Sequence, residues 1–282
     1  MRTSLTNRTF VSELRVLWAF SKRELVVYMR YPLDIFFDLI MEPFYILDWM
    51  IIGMFYVGGL TSQNLLTIAG TGDFISYLFL GGVLMGFARG AVWSAANSLR
   101  TEMRQGTLES CWITPIIRFT IMTGRILLNF FWMIVFDLFT GTLVYVIFKP
   151  VWHFDWAALF LIFVLTMLSN YAFGLLMGGI VFVFKEVWSF RDIFTSVLWI
   201  LSGTTFPVEM LPAWAQSISQ FVPYYYSLRD FRAVVINGVV LPELTSDLTF
   251  LLLFAVASLA ASYALFKRME RVALREGTLG LY

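Results

Sequence analysis

The sequence predicts an all-α, polytopic membrane protein that forms a single transmembrane domain over residues 1–282, with six membrane-crossing helices. Hydrophobic residues make up 59% of the chain and charged residues only 14%, and the mean hydropathy is +0.77. A soluble domain carries roughly 25% charged residues, and a water-soluble globule of this length cannot bury so much apolar surface. Apolar runs of about 20 residues or more, the length that crosses a bilayer, recur along the chain.

Six runs are predicted to cross the bilayer, and they cover residues 33–57, 74–99, 119–148, 157–184, 188–206 and 247–267. Lysine and arginine concentrate before the first run, in the two loops near 100–118 and 185–191, and after the last run. The segments on the opposite side carry only Lys149, Arg229 and Arg232. Positively charged loops stay in the cytoplasm, so both termini are predicted to be cytoplasmic, which agrees with an even number of spans.

Charge and residue counts exclude several classes of function. The 20 Lys and Arg are balanced by 19 Asp and Glu, which leaves no basic excess for binding nucleic acid. Cys111 and His153 are the only residues of their types, so an intrachain disulfide, a Cys-rich metal site and a zinc site with two histidines are all excluded. No lysine lies in a GxxxxGK[ST] phosphate-binding loop. We therefore predict no catalytic residue, metal site or cofactor in this chain, and any ATP would bind to another chain.

Residues 8–32 are predicted to form an amphipathic helix at the membrane surface. Arg8, Arg15 and Lys22 recur every seven residues, and aromatic and aliphatic residues such as Leu14 and Trp18 fall on the opposite face. Such a helix lies in the inner headgroup layer with its apolar face toward the acyl chains. It could be a simple anchor, or it could dock on a cytoplasmic partner, and the pattern is compatible with both.

Residues 203–242 interrupt the pattern of long helices and are predicted to form an outer re-entrant hairpin. Proline cannot continue a helix interior, and the segment is punctuated by Gly203, Pro207, Pro212, Pro223 and Pro242, with Phe206 between the first two. Irregular backbone at membrane depth is tolerated only inside protein or beside water, so a hairpin here would line or cap a pathway. An ordinary extracellular loop is the alternative.

Four charged residues fall inside the predicted spans, namely Glu42, Asp48, Arg89 and Asp137. Ionisable side chains are costly in lipid and usually face protein or water. We interpret these four as intramembrane polar residues that line a substrate pathway or pair with one another. The side chain of Arg89 is also long enough to extend to the cytoplasmic surface instead.

The cytoplasmic loop between the second and third spans is predicted to form a short helix over residues 102–116. Thr107 can cap this helix, and Glu109 would lie near its positively charged N-terminus. Within residues 102–116, Gly106 separates this capped helix from the helix that precedes it, and Pro115 limits it on the other side. The segment is predicted to present an exposed surface that could dock on a partner. The residues of this surface are Glu102, Arg104, Gln105, Gly106, Thr107, Leu108, Glu109, Trp112, Thr114 and Pro115.

Two of these segments resemble the motifs of one family, the type-2 ABC export permeases. The run from Glu102 to Pro115, followed by Arg118, is similar to the family signature E-x-x-x-G-T-L-E-x-x-x-x-T-P-x-x-R. Residues 202–212 (SGTTFPVEMLP) are similar to the motif S-G-x-x-F-P-x-x-x-L-P, which lies between spans five and six. The two motifs occur at the matching positions of the predicted topology, and the resemblance extends over nearly the whole chain.

The resemblance implies a transport subunit of the cytoplasmic membrane of a prokaryote, with no catalytic residue of its own. It implies that residues 102–116 form the coupling helix, which contacts an ABC ATPase subunit present in two copies, and that ATP and magnesium bind to that partner. It also implies pairing with a second permease copy, expected to be a homodimer, within the membrane lipids.

The expected substrate follows from the sequence just before the first span. The chain has Met29-Arg30-Tyr31-Pro32, as in drug- and lipid-type members, in place of the R-Y-x-x-S-x-L-G-x-x-W pattern of polysaccharide exporters. A lipid or amphiphilic, drug-like substrate is therefore expected, and export of a polysaccharide or lipid-linked glycan is the alternative. A membrane enzyme is a remote alternative because the chain has no GxSxG motif, and a secondary transporter is equally remote because no internal repeat is visible.

Overall fold

The computed structural model describes residues 10–57, 59–104, 118–184 and 188–275. These residues form helices and connecting turns, without a β-strand in the described ranges. The helices, numbered in chain order, are α1 (Phe10–Met29), α2 (Pro32–Val57), α3 (Gln63–Ala69), α4 (Phe74–Arg104), α5 (Arg118–Phe148), α6 (Trp156–Phe184), α7 (Trp188–Leu201), α8 (Ala213–Ser219), α9 (Pro223–Asn237) and α10 (Thr245–Arg275). Short 3₁₀ turns cover Val208–Met210 and Leu241–Leu244. The all-α prediction is confirmed for this part of the chain.

Four apolar segments in the described part of the chain are long enough to cross a membrane. They are Phe74–Ser98, Met122–Phe148, Trp156–Met177 and Leu241–Met269, and they correspond to the second, third, fourth and sixth predicted spans. The first predicted span corresponds to α2, which is 26 residues long, and the fifth to α7. Crossing of the membrane by α2 and α7 stays a prediction.

Helix α7 is shorter than the predicted fifth span because it ends at Leu201 and not at residue 206. It contains 14 residues, fewer than the roughly 20 that cross a bilayer as one straight helix. The backbone of Gly203 has a φ of 72°, which is a left-handed conformation that favours glycine and ends helices. The turn at Gly203 therefore limits α7 in a way that hydropathy alone did not reveal.

Helix α4 lies at the centre of the bundle and packs against α2, α5, α6 and α9. One hydrophobic cluster joins Phe87 and Ala91 of α4 to Met122 and Ile126 of α5 and to Phe266 of α10. Close contact between α4 and α6 depends on Gly174, because an added Cβ there would lie 2.9 Å from the carbonyl oxygen of Ala91. The lack of a side chain at Gly174 thus permits the two helices to approach closely.

Helix α1 packs along the first half of α5. Ser21 donates to the carbonyl of Gly124 at 3.4 Å, Glu24 pairs with Arg125 at 3.1 Å, and the ring of Tyr28 lies 4.8 Å from that of Trp132. These contacts advance in the same direction along both helices. The helix ends at Met29, three residues before the predicted end at residue 32, because Pro32 starts α2.

The other face of α1 is exposed and carries both basic and apolar side chains. Arg15, Trp18, Lys22 and Val26 are all exposed. This mixed face differs from the predicted separation into a basic and an apolar face, because Trp18 is three residues from Arg15 and four from Lys22 and therefore lies on their side of the helix. The position of α1 at the membrane surface stays a prediction.

Asp155 ties the start of α6 to the turn that precedes α10. Its carboxylate accepts hydrogen bonds from the backbone N–H groups of Ala157 and Ala158 at 3.1 and 3.2 Å, and from that of Leu241 at 3.1 Å. The bonds from Leu241 and Ala158 favour the charged form and lower the pKa of Asp155 below its ordinary value. The side chain therefore joins two segments that are distant in sequence.

Asp155→Asn is expected to lower the melting temperature at neutral pH by a few degrees. A carboxyl group with a lowered pKa in the folded state stabilises the fold above its ordinary pKa of about 3.9, and this contribution is lost as the pH falls through the lowered value. The difference from the wild type should therefore be largest near neutral pH and should shrink in acid. Thermal unfolding of the detergent-solubilised protein as a function of pH measures this, with the exposed Glu243→Gln as control. A pH-independent difference would contradict the charge-based explanation.

Candidate functional site

The backbone after α7 forms a buried break in the helical bundle. Ser202, Gly203 and Thr204 are buried, and the chain turns there from α7 into the 3₁₀ turn at Val208–Met210. A Cβ on Gly203 would lie 2.8 Å from Cγ2 of Val208, so the turn is tightly packed as well as left-handed. This break coincides with the first part of the predicted re-entrant region, including Gly203, Phe206, Pro207 and Pro212.

Arg232 of α9 holds the break against the first turn of α4. It donates to the carbonyl oxygens of Gly203 at 2.8 Å and Thr204 at 2.7 Å. It also donates twice to the carbonyl oxygen of Tyr77, at 3.2 and 2.9 Å, and its guanidinium carbon lies 3.4 Å from the centre of the Tyr77 ring. The Tyr77 hydroxyl in turn donates to the carbonyl of Gly203 at 3.2 Å. One side chain thus connects three segments of the chain.

Helix α9 runs antiparallel to α4, from the middle of that helix to its start. At the first end, Val222 and Tyr224 share a hydrophobic cluster with Met85 and Ala88 of α4. At the other end, Val235 clusters with residues of the first turns of α4, namely Ile75, Leu78, Phe79 and Leu80. The connection between α8 and α9 therefore reaches into the bundle to the level of the middle of α4. That this segment forms an outer re-entrant hairpin stays a prediction.

A charged cleft lies between α2, α4 and the break. Its cavity has a volume of about 70 Å³ and its charged residues are Glu42 of α2 and Arg89 of α4. Thr204 and Thr205 line it from the break, and Trp199 donates to the hydroxyl of Thr205 at 2.9 Å. The buried hydroxyl of Thr204 has no hydrogen-bond partner among the described residues. The cleft therefore combines two opposite charges, hydroxyl groups and aromatic rings.

The structure brings together only some of the charged residues that the sequence singled out. Glu42 and Arg89 line the same cleft, whereas Asp48 is exposed elsewhere on α2. Asp137 of α5 is not among the residues that line the cleft, and its Oδ2 atom is buried without a hydrogen-bond partner in the described part of the chain. Glu42 and Arg89 thus share one cleft, whereas Asp48 lies outside it.

Most of the predicted coupling helix lies outside the described residues. Glu102 and Arg104 are in the last turn of α4, whereas the predicted residues from Gln105 to Pro115 fall between α4 and α5, where the structure is not described. Their predicted contact with an ATPase stays a prediction.

Sequence reasoning did not assign a role to Arg232 or Tyr77, although both hold the break. A signal was present, because Arg232 is one of only three basic residues on the predicted outer side and lies in a mostly apolar helix. An arginine in such surroundings usually has specific partners. Its partners here are backbone carbonyls, which a pattern of side chains in the sequence cannot reveal.

Long apolar helices around a buried, charged cleft define a polytopic membrane protein. The sequence profile of the ABC-2 type transporter family matches residues 15–236, and the chain belongs to that family. Members of this family are membrane transport subunits that work with a separate ABC ATPase.

Two curated proteins are similar to this chain at low identity. Probable multidrug ABC transporter permease YbhR of Escherichia coli (strain K12) is 25% identical over 175 residues, which is 61% of this chain and 46% of that protein. Linearmycin resistance permease protein LnrN of Bacillus subtilis (strain 168) is 24% identical over 183 residues, or 64% of this chain and 43% of that protein. The matched part of this chain thus corresponds to less than half the length of either relative.

Proposed function

We propose that this chain is the transmembrane permease subunit of an ATP-driven exporter whose substrate is a lipid or an amphiphilic, drug-like molecule. The observation that carries the proposal is the cleft that contains Glu42 and Arg89, since a cleft with opposite charges inside an apolar bundle can accept the polar part of an amphiphile. The names of the two relatives, which refer to multidrug transport and to linearmycin resistance, support a substrate of this kind.

The proposed assembly contains two copies of this subunit and two ATPase subunits in the cytoplasmic membrane of a prokaryote. Each copy would cross the membrane six times, with α2 and α7 as the additional spans, and would keep both termini in the cytoplasm. Residues 102–116 would contact the ATPase. ATP and magnesium would bind to the ATPase subunits. Because α4 and α5 flank this segment, its movement would be transmitted to the cleft along α4.

Within the cleft, we assign the polar part of the substrate to the charged pair and the apolar part to the neighbouring side chains. Tyr45, Ile46 and Leu78 form the apolar wall beside Glu42 and Arg89. Contacts that hold the substrate in one state of the transporter and release it in the other would couple transport to the ATPase cycle.

Glu42→Gln and Arg89→Gln are each expected to reduce export by about tenfold, equivalent to roughly 1.4 kcal/mol of lost interaction. Either change leaves the remaining charge in the cleft without its opposite. Export is measured as efflux of a fluorescent amphiphilic dye from cells that express the chain together with its ATPase. Asp48→Asn is the matched control, because Asp48 lies on the same helix but is exposed outside the cleft. Equal efflux in all three variants and the wild type would contradict a role of the cleft in transport.

A further inference from the structure

A second cavity lies on the predicted outer side of the molecule. Its volume is about 190 Å³, and it is enclosed by α3, the start of α4, the break after α7 and helix α9. Its apolar wall includes Ile68, Ala69 and Val208, and its charged residues are Arg229, Arg232 and Glu209. Since one water molecule occupies about 30 Å³ of liquid volume, the cavity has room for a group the size of a phosphate with its first methylene groups.

The guanidinium group of Arg232 provides a buried positive charge at this cavity. The residue is only 8% exposed, and an arginine stays protonated at any physiological pH. Among the described residues no carboxylate forms an ion pair with it, and its four hydrogen bonds all end on backbone carbonyls. A guanidinium has five N–H groups, so one remains beyond these bonds. A buried charge without an opposite charge is unfavourable, and an anion in the cavity would compensate it.

The other charged groups near the cavity do not cancel the attraction of Arg232 for an anion. Arg229 lies three residues earlier on α9, forms an ion pair with Asp247 and also lies 3.9 Å from Asp230. Neither of these carboxylates is among the residues that line the cavity, and of the described acidic residues only Glu209 does so. Glu209 is exposed, so water screens its charge more effectively than that of Arg232.

We propose that this outer cavity binds the anionic headgroup of an amphiphile. The phosphate or carboxylate oxygens would contact Arg232 and Arg229, and the first methylene groups would pack against Ile68, Ala69 and Val208. Charge-assisted hydrogen bonds from arginine to such oxyanions are among the stronger polar contacts in proteins. The site is separate from the cleft at Glu42 and Arg89 and does not depend on an ATPase.

The test measures binding of dodecyl phosphate to the purified chain alone, in a neutral maltoside detergent, by isothermal titration calorimetry. Arg232 itself is unsuitable for substitution because it also holds the fold together. Ala233→Phe is used instead, since Ala233 lines the cavity and a phenyl group would fill it. Glu209→Gln removes the only described acidic group of the wall. Glu243→Gln is the matched control, being exposed and not among the residues that line the cavity.

Saturable binding is expected for the wild type and for Glu243→Gln with equal affinity. Ala233→Phe should bind about tenfold more weakly, and Glu209→Gln should bind roughly threefold more tightly because the repulsion is removed. Absence of saturable binding, or binding that Ala233→Phe leaves unchanged, would overturn the proposal.

Inorganic phosphate, tested in the same way, distinguishes a lipid-like ligand from a free anion. Weaker binding of inorganic phosphate than of dodecyl phosphate supports an amphiphile, whereas equal affinity would overturn that part of the proposal. Because no transport or ATP hydrolysis is measured, a negative result here is distinct from a failure of the proposed export function.

Discussion

Replacing Arg232 with leucine is expected to destabilise the protein so strongly that little folded material is recovered. Leucine fills part of the space but donates no hydrogen bond, so the four hydrogen bonds of Arg232 in this buried site are lost, and the carbonyl of Gly203 keeps only the Tyr77 hydroxyl as a donor. Each hydrogen bond to a charged group contributes about 1.5–3 kcal/mol. Their sum approaches the whole stability of a typical domain, about 5–15 kcal/mol. Size-exclusion chromatography and thermal unfolding in detergent measure the loss.

Two further variants separate the hydrogen bonds of Arg232 from its charge and from general effects on α9. Arg232→Lys keeps the positive charge but replaces the planar guanidinium group with a single ammonium group. Its melting temperature is therefore expected to lie between those of the wild type and Arg232→Leu. Arg229→Leu changes an arginine on the same helix whose side chain is 47% exposed and whose partner Asp247 is 14% exposed, so a smaller loss than for Arg232→Leu is expected because water screens part of this ion pair. A melting temperature of Arg232→Leu equal to that of Arg229→Leu would show that the break does not depend on Arg232.

The long apolar helices could be predicted from the sequence because hydropathy and length are sufficient to define them. Helices α4, α5 and α6 contain three of the four apolar segments that are long enough to cross a membrane, and α10 contains most of the fourth, which begins in the preceding 3₁₀ turn. Their starts differ from the predicted starts by no more than two residues.

The candidate sites were only partly predictable, because their geometry depends on contacts between distant segments. The sequence identified Glu42 and Arg89 as unusual but could not show that they share a cleft with Thr204, which lies more than 100 positions further along the chain. No role could be assigned to Arg232 from the sequence because its partners are carbonyl groups, which every residue possesses. The short helix α3, Gln63–Ala69, was also not predicted, since seven residues give too few turns for a clear period.

Glu109→Arg is expected to abolish ATP-driven export while the protein still inserts and folds. Glu109 belongs to the segment that resembles the family's coupling helix, and it is predicted to lie at the N-terminus of that helix, where a negative charge is favourable and a positive one is not. Reversal of this charge would disturb both the helix and its contact with the ATPase. Export is measured by dye efflux, insertion by membrane fractionation, and ATP hydrolysis by phosphate release from the purified complex.

The matched control is Glu243→Arg, the same substitution on the predicted outer side, where Glu243 is exposed. It should leave export unchanged, because it alters net charge equally but its predicted position is far from the cytoplasmic surface. Normal export by Glu109→Arg would remove the coupling assignment. Equal loss in both variants would instead show that the effect comes from net charge and not from position.

Gly106→Pro tests the same segment through its backbone. Proline fixes φ near −65° and removes an N–H group, so this variant changes the shape of the segment without changing its charge. If the segment transmits movement as a rigid contact, both Glu109→Arg and Gly106→Pro should allow the ATPase to turn over without export. If only Glu109→Arg loses export, the contact depends on charge and tolerates a different backbone. In that case the rigid movement of α4 proposed above would have to begin at Glu102 and Arg104, the two coupling residues that lie in the last turn of that helix.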